Sequence, residues 1–189
     1  TGETVWTGGG SEADLTFTDT AVVAVIRNEA GDDSGFGSKV CRASLDTPYD
    51  WDCVHDCRKF DSPLMFTYGG AAWLVARKNV TDDGCFDLGL NPEEYSHSDR
   101  FIVYSGEYWQ NPKRCTLWPV DENTLSVDEV LDFPSAGDTC FPSILGDNGE
   151  YEIWNYTTDP EAPNTSWIAG QQGPTQITRQ DLTFTRTSL

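Results

Sequence analysis

The chain has 189 residues, 38% of them hydrophobic and 12% aromatic, with seven Trp, a load that excludes a disordered chain. The 31 acidic residues against 12 basic ones leave a formal charge of −19. That charge repels nucleic-acid phosphates and anionic lipid headgroups and argues against both as partners, and no apolar run is long enough to insert into a bilayer.

The acids occur in ones and twos, the pattern of a solvated face; calcium or a cationic partner is the alternative use. Six cysteines (Cys41, Cys53, Cys57, Cys85, Cys115 and Cys140) accompany three sequons, Asn79-Val-Thr81, Asn155-Tyr-Thr157 and Asn164-Thr-Ser166. An even cysteine count with sequons reads as a secreted, extracellular chain, disulfide-bonded and glycosylated at Asn79, Asn155 and Asn164. Cys53-x-x-x-Cys57 with His55 and Cys85 offers zinc instead, but no CxxC pair supports it, so no metal site is expected. The first residue is Thr and no signal peptide is visible, which reads as a processed product or an excised domain.

Taken in chain order, the pattern is β throughout. Leu15 to Phe17 is a first short run, and a turn at Thr18-Asp-Thr20 leads into Val22 to Glu29. Short strands follow at Ser38 to Arg42 and Trp51 to Cys53. A second hairpin joins Asp61 to Phe66 with Trp73 to Asn79 through Tyr68-Gly-Gly70. The stretch from Asp82 to Lys113 is polar, holds Tyr95, His97, Tyr108 and Trp109, and reads as a long binding loop. Arg114 to Val120 and Ser126 to Phe133 are further strands. A third hairpin joins Asp138 to Leu145 with Tyr151 to Tyr156. Its turn, Asp147-Asn-Gly-Glu150, is explained by an Asn-Gly hairpin, with calcium the other use of the two acids.

Aligned on their turns, the hairpins put Val23, Trp73 and Tyr151 at one position and Arg27, Arg77 and Asn155 at another. Two hairpins per unit make a four-stranded meander, and its repetition about an axis makes a propeller. A β-sandwich also has regular short strands; the internal repeat favours blades. The expected fold is all-β, a single β-propeller-like domain over 1–189 with four-stranded blades at about 12–60, 61–133 and 138–189. At about 40–50 residues per blade the chain holds about three, whereas propellers close with about four to eight. The expected state is therefore a partial propeller, completed by a longer protein, a second chain or self-association.

Ser44-Leu-Asp46-Thr-Pro48-Tyr-Asp50-Trp51 resembles the Asp-box hairpin of sialidase-type propellers in the spacing of Ser, Asp and Trp. Pro48 and Asp50 replace the Gly and Thr of that pattern. The hairpins beginning at Asp61 and Asp138 look like inner strands of glycoside-hydrolase propellers. The resemblance implies a glycan-directed fold, with glycans or glycoproteins as partners; it does not by itself imply turnover. No cofactor is expected, with calcium the alternative. Cys41 and Cys53 flank the Ser44–Trp51 turn and are expected to pair across it.

Glycosidases use two carboxyls about the scissile bond. Asp61 and Asp138 open inner strands and, with Glu29, are the catalytic candidates. Sialidase-type sites clamp a sugar carboxylate with arginine forks, which points to Arg27, Arg77 and Arg114. The family's tyrosine nucleophile directs attention to Tyr156 and Tyr104. Trp109, Trp118, Trp154 and Trp167 are candidates for stacking on sugars, with packing as their alternative use. The competing function is a catalytically inactive, secreted structural glycoprotein that self-assembles.

Overall fold

The computed structural model describes residues 10–185; the ends of the expected domain, 1–9 and 186–189, lie outside the described residues. Three antiparallel sheets follow one another along the chain. The first comprises β1 (Ala13–Phe17), β2 (Ala21–Asp32), β3 (Gly35–Ser44) and β4 (Trp51–Asp56). The second comprises β5 (Asp61–Tyr68), β6 (Ala71–Asn79), β7 (Lys113–Val120) and β8 (Leu131–Phe133). The third has β9 (Ser143–Asp147), β10 (Glu150–Thr157) and β11 (Gln176–Thr183), with β10 central. It holds three strands among the described residues where four were expected. Helices α1 (His97–Gln110) and α2 (Trp167–Gly170) interrupt the second and third sheets.

The sheets stack in series because their central strands are apolar on both faces, as strands covered on both sides must be. On β2, Val23 and Val25 meet Leu74, Ala76 and Trp118 of the second sheet. Its alternate residues Ala24 and Ile26 pack with Cys41 and the half-buried Trp51. On β6, Leu74 faces the first sheet, while its neighbour Val75 faces Ile153 and Leu182 of the third.

The inner strands β1 and β5 meet through polar groups. Thr16 Oγ1 lies 2.8 Å from Thr67 Oγ1, and the Asp14 and Glu12 carboxylates accept the N–H groups of Met65 and Ser62, each at 2.7 Å. A bulge makes this seam fit. Asp61 pairs with Arg77 but the next pair is Leu64 with Val75, so β5 carries an extra residue at Ser62-Pro63. Ser62 sits at φ 49° and Pro63 has no N–H to lose from the ladder. Alternation turns Leu15 and Phe17 to the opposite side of β1, where they are exposed, as are Leu145 on β9 and Phe141 just before it.

Asn148 and Gly149 both adopt positive φ (53° and 93°) in the two-residue β9–β10 turn, which is what an Asn-Gly hairpin requires. The stretch 82–113 differs from expectation because it contains α1. Only Tyr104, Ser105 and Tyr108 of that helix are buried, too few for a visible 3.6-residue stripe. The local signal was a capping box: the Ser96 hydroxyl accepts the Asp99 N–H and the Asp99 carboxylate accepts the Ser96 N–H. Phe36, Phe86, Tyr104 and Tyr108 then dock α1 on the first sheet.

Strand limits also moved. Of 126–133 only Leu131–Phe133 is strand, and β9 begins at Ser143. Asp138 to Cys140 still runs beside β10, through Thr158 N–H to Asp138 O (3.2 Å) and Cys140 N–H to Tyr156 O (3.3 Å). Cys41 bonds to Cys53 across β3 and β4 as expected, and the remaining bridges are Cys57–Cys85 and Cys115–Cys140. Among the described residues no helix is long and apolar enough to cross a membrane.

The three sequons stand in different surroundings. The Asn79 amide is buried, accepting from Lys113 Nζ and donating to Cys85 O. The Asn155 amide is buried between Thr139 and the Phe141 N–H. Neither leaves its nitrogen room for a sugar, whereas Asn164 is exposed. Secreted through a eukaryotic host, the folded chain is expected to carry one N-glycan, on Asn164. Intact mass before and after amidase treatment checks this; a second glycan on Asn79 or Asn155 would contradict it.

Candidate functional site

The blade repeat places one acid where each inner strand begins. Glu12 immediately precedes β1, Asp61 is the first residue of β5, and Asp138 lies on the segment leading to β9. The second strand of each sheet supplies the partner. Arg27 N–H bonds to Glu12 O at 2.8 Å, Arg77 is in register with Asp61, and Tyr156 stands beside Asp138. The side chains converge on one charged centre.

Asp61 is its innermost member, with 2% of its side chain exposed. Arg27 Nη1 lies 3.2 Å from one of its oxygens; Arg77 Nη1, at 3.3 Å, and Lys59 Nζ, at 3.6 Å, reach the other. The Tyr108 hydroxyl donates to that second oxygen at 2.7 Å. Arg77 also reaches Asp138 (3.7 Å), the Tyr156 hydroxyl (3.3 Å) and Thr139 O (2.6 Å). Tyr156 donates to Asp138 at 2.9 Å.

The outer edge is more open. Arg27 continues to Glu12 (3.1 Å), to Glu29 (3.8 Å) and to the Ser11 hydroxyl (2.8 Å), and Lys59 bonds to Glu29 at 2.6 Å. Side-chain exposure rises from 2% at Asp61 to 21% at Asp138, 27% at Glu29 and 34% at Glu12. The carboxyls available to a ligand are therefore the last three.

Electrostatics separate the roles. Burial alone would raise the Asp61 carboxyl, but Lys59 and Arg77, the Tyr108 hydroxyl and Arg27 outweigh it and hold it below the usual carboxylate range. Asp61 is held as an anion, unable to donate a proton. Burial pushes the Tyr156 phenol up to about 12, with Arg77 opposing and Asp138 reinforcing the rise; it is a hydrogen-bond donor, not a phenolate. Burial, then the charges of Arg77 and Lys59, press the Lys113 amine down to about 6. Lys113 Nζ donates to Asn79 Oδ1 (3.0 Å), Asn111 O (2.8 Å) and Tyr108 O, closing the C-terminus of α1.

Of the sequence candidates, Asp61, Asp138, Glu29, Arg27, Arg77 and Tyr156 meet here. Arg114 does not: it follows the fully buried Lys113 on β7 and its guanidinium donates to the Lys113 carbonyl. Asn155 does not, because it faces away from its neighbour Tyr156. Tyr104 packs against Phe36 and Phe86, its hydroxyl accepting the Leu90 N–H. Trp118 is core, 5.5 Å from the Phe60 ring. Sequence reasoning missed Glu12 and Lys59, and named Tyr108 only as part of a binding loop, without a role at this centre. Glu12 was findable as the acid preceding the first apolar run, the place that Asp61 and Asp138 hold in the other two hairpins. Among the described residues no set of three His, Cys, Asp or Glu side chains is gathered to hold a metal.

No protein-family model and no curated protein sequence matches the chain. Solved structures do. The phage phi92 endosialidase superposes with a TM-score of 0.55 at 11% identity, covering 96% of this chain and 28% of its own. The Penicillium chrysogenum α-L-arabinanase, solved with arabinobiose, gives a TM-score of 0.53 at 11% identity, covering 93% of this chain and 46% of its own. This chain thus spans less than half of either. The likeness establishes the fold class: blades of a β-propeller.

Proposed function

We propose that this chain is an extracellular, glycan-directed propeller module whose charged centre contacts the sugar. The observation that carries this reading is the convergence of the inner-strand acids and both aligned arginines at one partly open centre. A sugar presents adjacent hydroxyls, which pair well with alternating carboxylates and guanidinium N–H groups. Asp138, Glu29, Glu12 and Arg27 are the groups that reach such a ligand; Asp61, Arg77 and Lys59 hold them in place. Asp61, buried and held as an anion, belongs to the framework of the site and is not its proton donor. The fold likeness to an endosialidase and an arabinanase supports glycans as the ligand class. The Ser44–Trp51 turn, where Ser44 Oγ accepts the Asp46 N–H at 3.2 Å, serves as a structural hairpin of Asp-box type.

Calorimetric titration with arabinose and sialic-acid oligomers tests this. One series is expected to bind, and Asp138→Asn and Arg27→Ala to weaken it at least about tenfold, the loss of one charge-assisted hydrogen bond. Binding by neither series, or binding indifferent to both substitutions, removes the proposal. The exposed flanks at Leu15 and Phe17 and at Phe141 and Leu145 support a second reading that concerns assembly. Further blades, whether of a longer protein, a second chain or another copy, complete the propeller there.

A further inference from the structure

We propose that Trp109 and Trp167 form a sugar-stacking wall at the lip of the charged centre, a subsite for a second ring of the same glycan. This rests on the glycan reading of the centre. Tyr108 anchors the last turn of α1 to Asp61 through its hydroxyl. The next residue, Trp109, turns outward and is 42% exposed. Its indole stacks on Trp167 of α2, with centroids 6.2 Å apart and planes 28° from parallel.

Backbone contacts fix α2 at both of its ends. Trp167 N–H donates to Asn111 O at 3.1 Å, just past the end of α1, and Pro112 bridges to Ser166. At its other end Gly170 lies against the Asp138 segment so closely that a Cβ there would sit 2.1 Å from the Asp138 nitrogen. One short helix thus ties the helix that touches Asp61 to the segment that carries Asp138, and the indole pair stands on that tie. Gly106, one turn before Trp109, has open space where a side chain would be.

The pair is not needed by the sheets, whose cores are filled by Trp118 and the aliphatic residues of β2 and β6. A flat, preorganised aromatic face beside a polar site suits a sugar ring, whose C–H face packs on the π surface while its hydroxyls reach the carboxylates. Its ligand is a pyranose or furanose one unit or more from the ring at Asp138.

The test compares the monosaccharide and the hexamer of the two series named above, by calorimetry and tryptophan fluorescence. Wild-type protein is expected to bind the hexamer about tenfold more tightly than the monosaccharide, the size of one good aromatic contact. Trp109→Ala should abolish that length advantage and leave monosaccharide affinity unchanged, and Trp109→Phe should restore most of it. Asp138→Asn should weaken both ligands equally, which separates failure of the centre from failure of the wall. A hexamer advantage that survives Trp109→Ala overturns the proposal. So does an altered sedimentation coefficient in that variant, which would make the pair a chain–chain contact, and binding of no oligomer removes wall and centre together.

Discussion

Replacing Asp61 by asparagine is expected to cost about 3–5 kcal/mol of folding stability, the usual loss when one partner of a buried ion pair is removed. The substitution keeps the shape and still accepts the Tyr108 hydroxyl. It leaves Arg77 and Lys59, both buried, and Arg27 without their shared counter-charge. Against a total of about 5–15 kcal/mol for an ordinary domain, that loss moves the urea midpoint far to the left at pH 7.

The same pair of proteins tests the charge state. Because the folded Asp61 carboxyl lies below its unfolded value, its stabilisation is fully present above about pH 3.9 and fades as pH falls through the lower folded value. The gap between wild type and Asp61→Asn should therefore close in acid. A gap that is constant from pH 7 to pH 2 would show that Asp61 is not the ionised hub.

Removing the Cys115–Cys140 bridge by a double alanine substitution is the second large effect. The cysteines are 25 residues apart, and closing such a loop is worth about 3 kcal/mol in the chain-entropy account. Cys115 is in register with Arg77, and Cys140 is two residues from Asp138 and holds φ 72°, a backbone region that non-glycine residues enter at a cost. The bridge pins that turn while Arg77 holds the neighbouring Thr139 carbonyl. A melting temperature lower by about 6–12 °C is expected, together with weakened sugar binding. Removing Cys41–Cys53, which joins adjacent strands away from the centre, should lower the melting temperature and leave binding intact. Equal binding losses from both would break the link between the bridge and Asp138.

The blades were legible because their central strands announce themselves: β2 and β6 are apolar on both faces, and their turns carry Gly-Gly or Thr-Asp-Thr. Arg27 and Arg77 were legible for the same reason, holding one strand position in two hairpins. The errors are mostly slips of one residue, and on a strand such a slip changes the face. Arg114 was chosen where Lys113 points inward, and Asn155 was aligned where Tyr156 reaches the centre. Tyr108 was hidden because its helix buries one narrow edge and shows no stripe. Lys59 was hidden because a lysine beside an aspartate reads as a surface pair until Phe86 and Tyr108 close over it, with its amine 4.7 and 4.0 Å from their ring centres. β11 was not anticipated: Gln176–Thr183 is polar on most of its length, and pairing with β10 alone makes it a strand.

The outward-facing Leu15 and Phe17, with Phe141 and Leu145 at the far end, govern how this polypeptide can be handled. Two greasy rims on an otherwise strongly anionic particle make it a surfactant-like object, kept apart by like charge in dilute buffer and drawn together once salt screens that charge. Glutamate at Phe17 and Leu145 would replace two exposed apolar side chains by charge and leave the buried cores untouched.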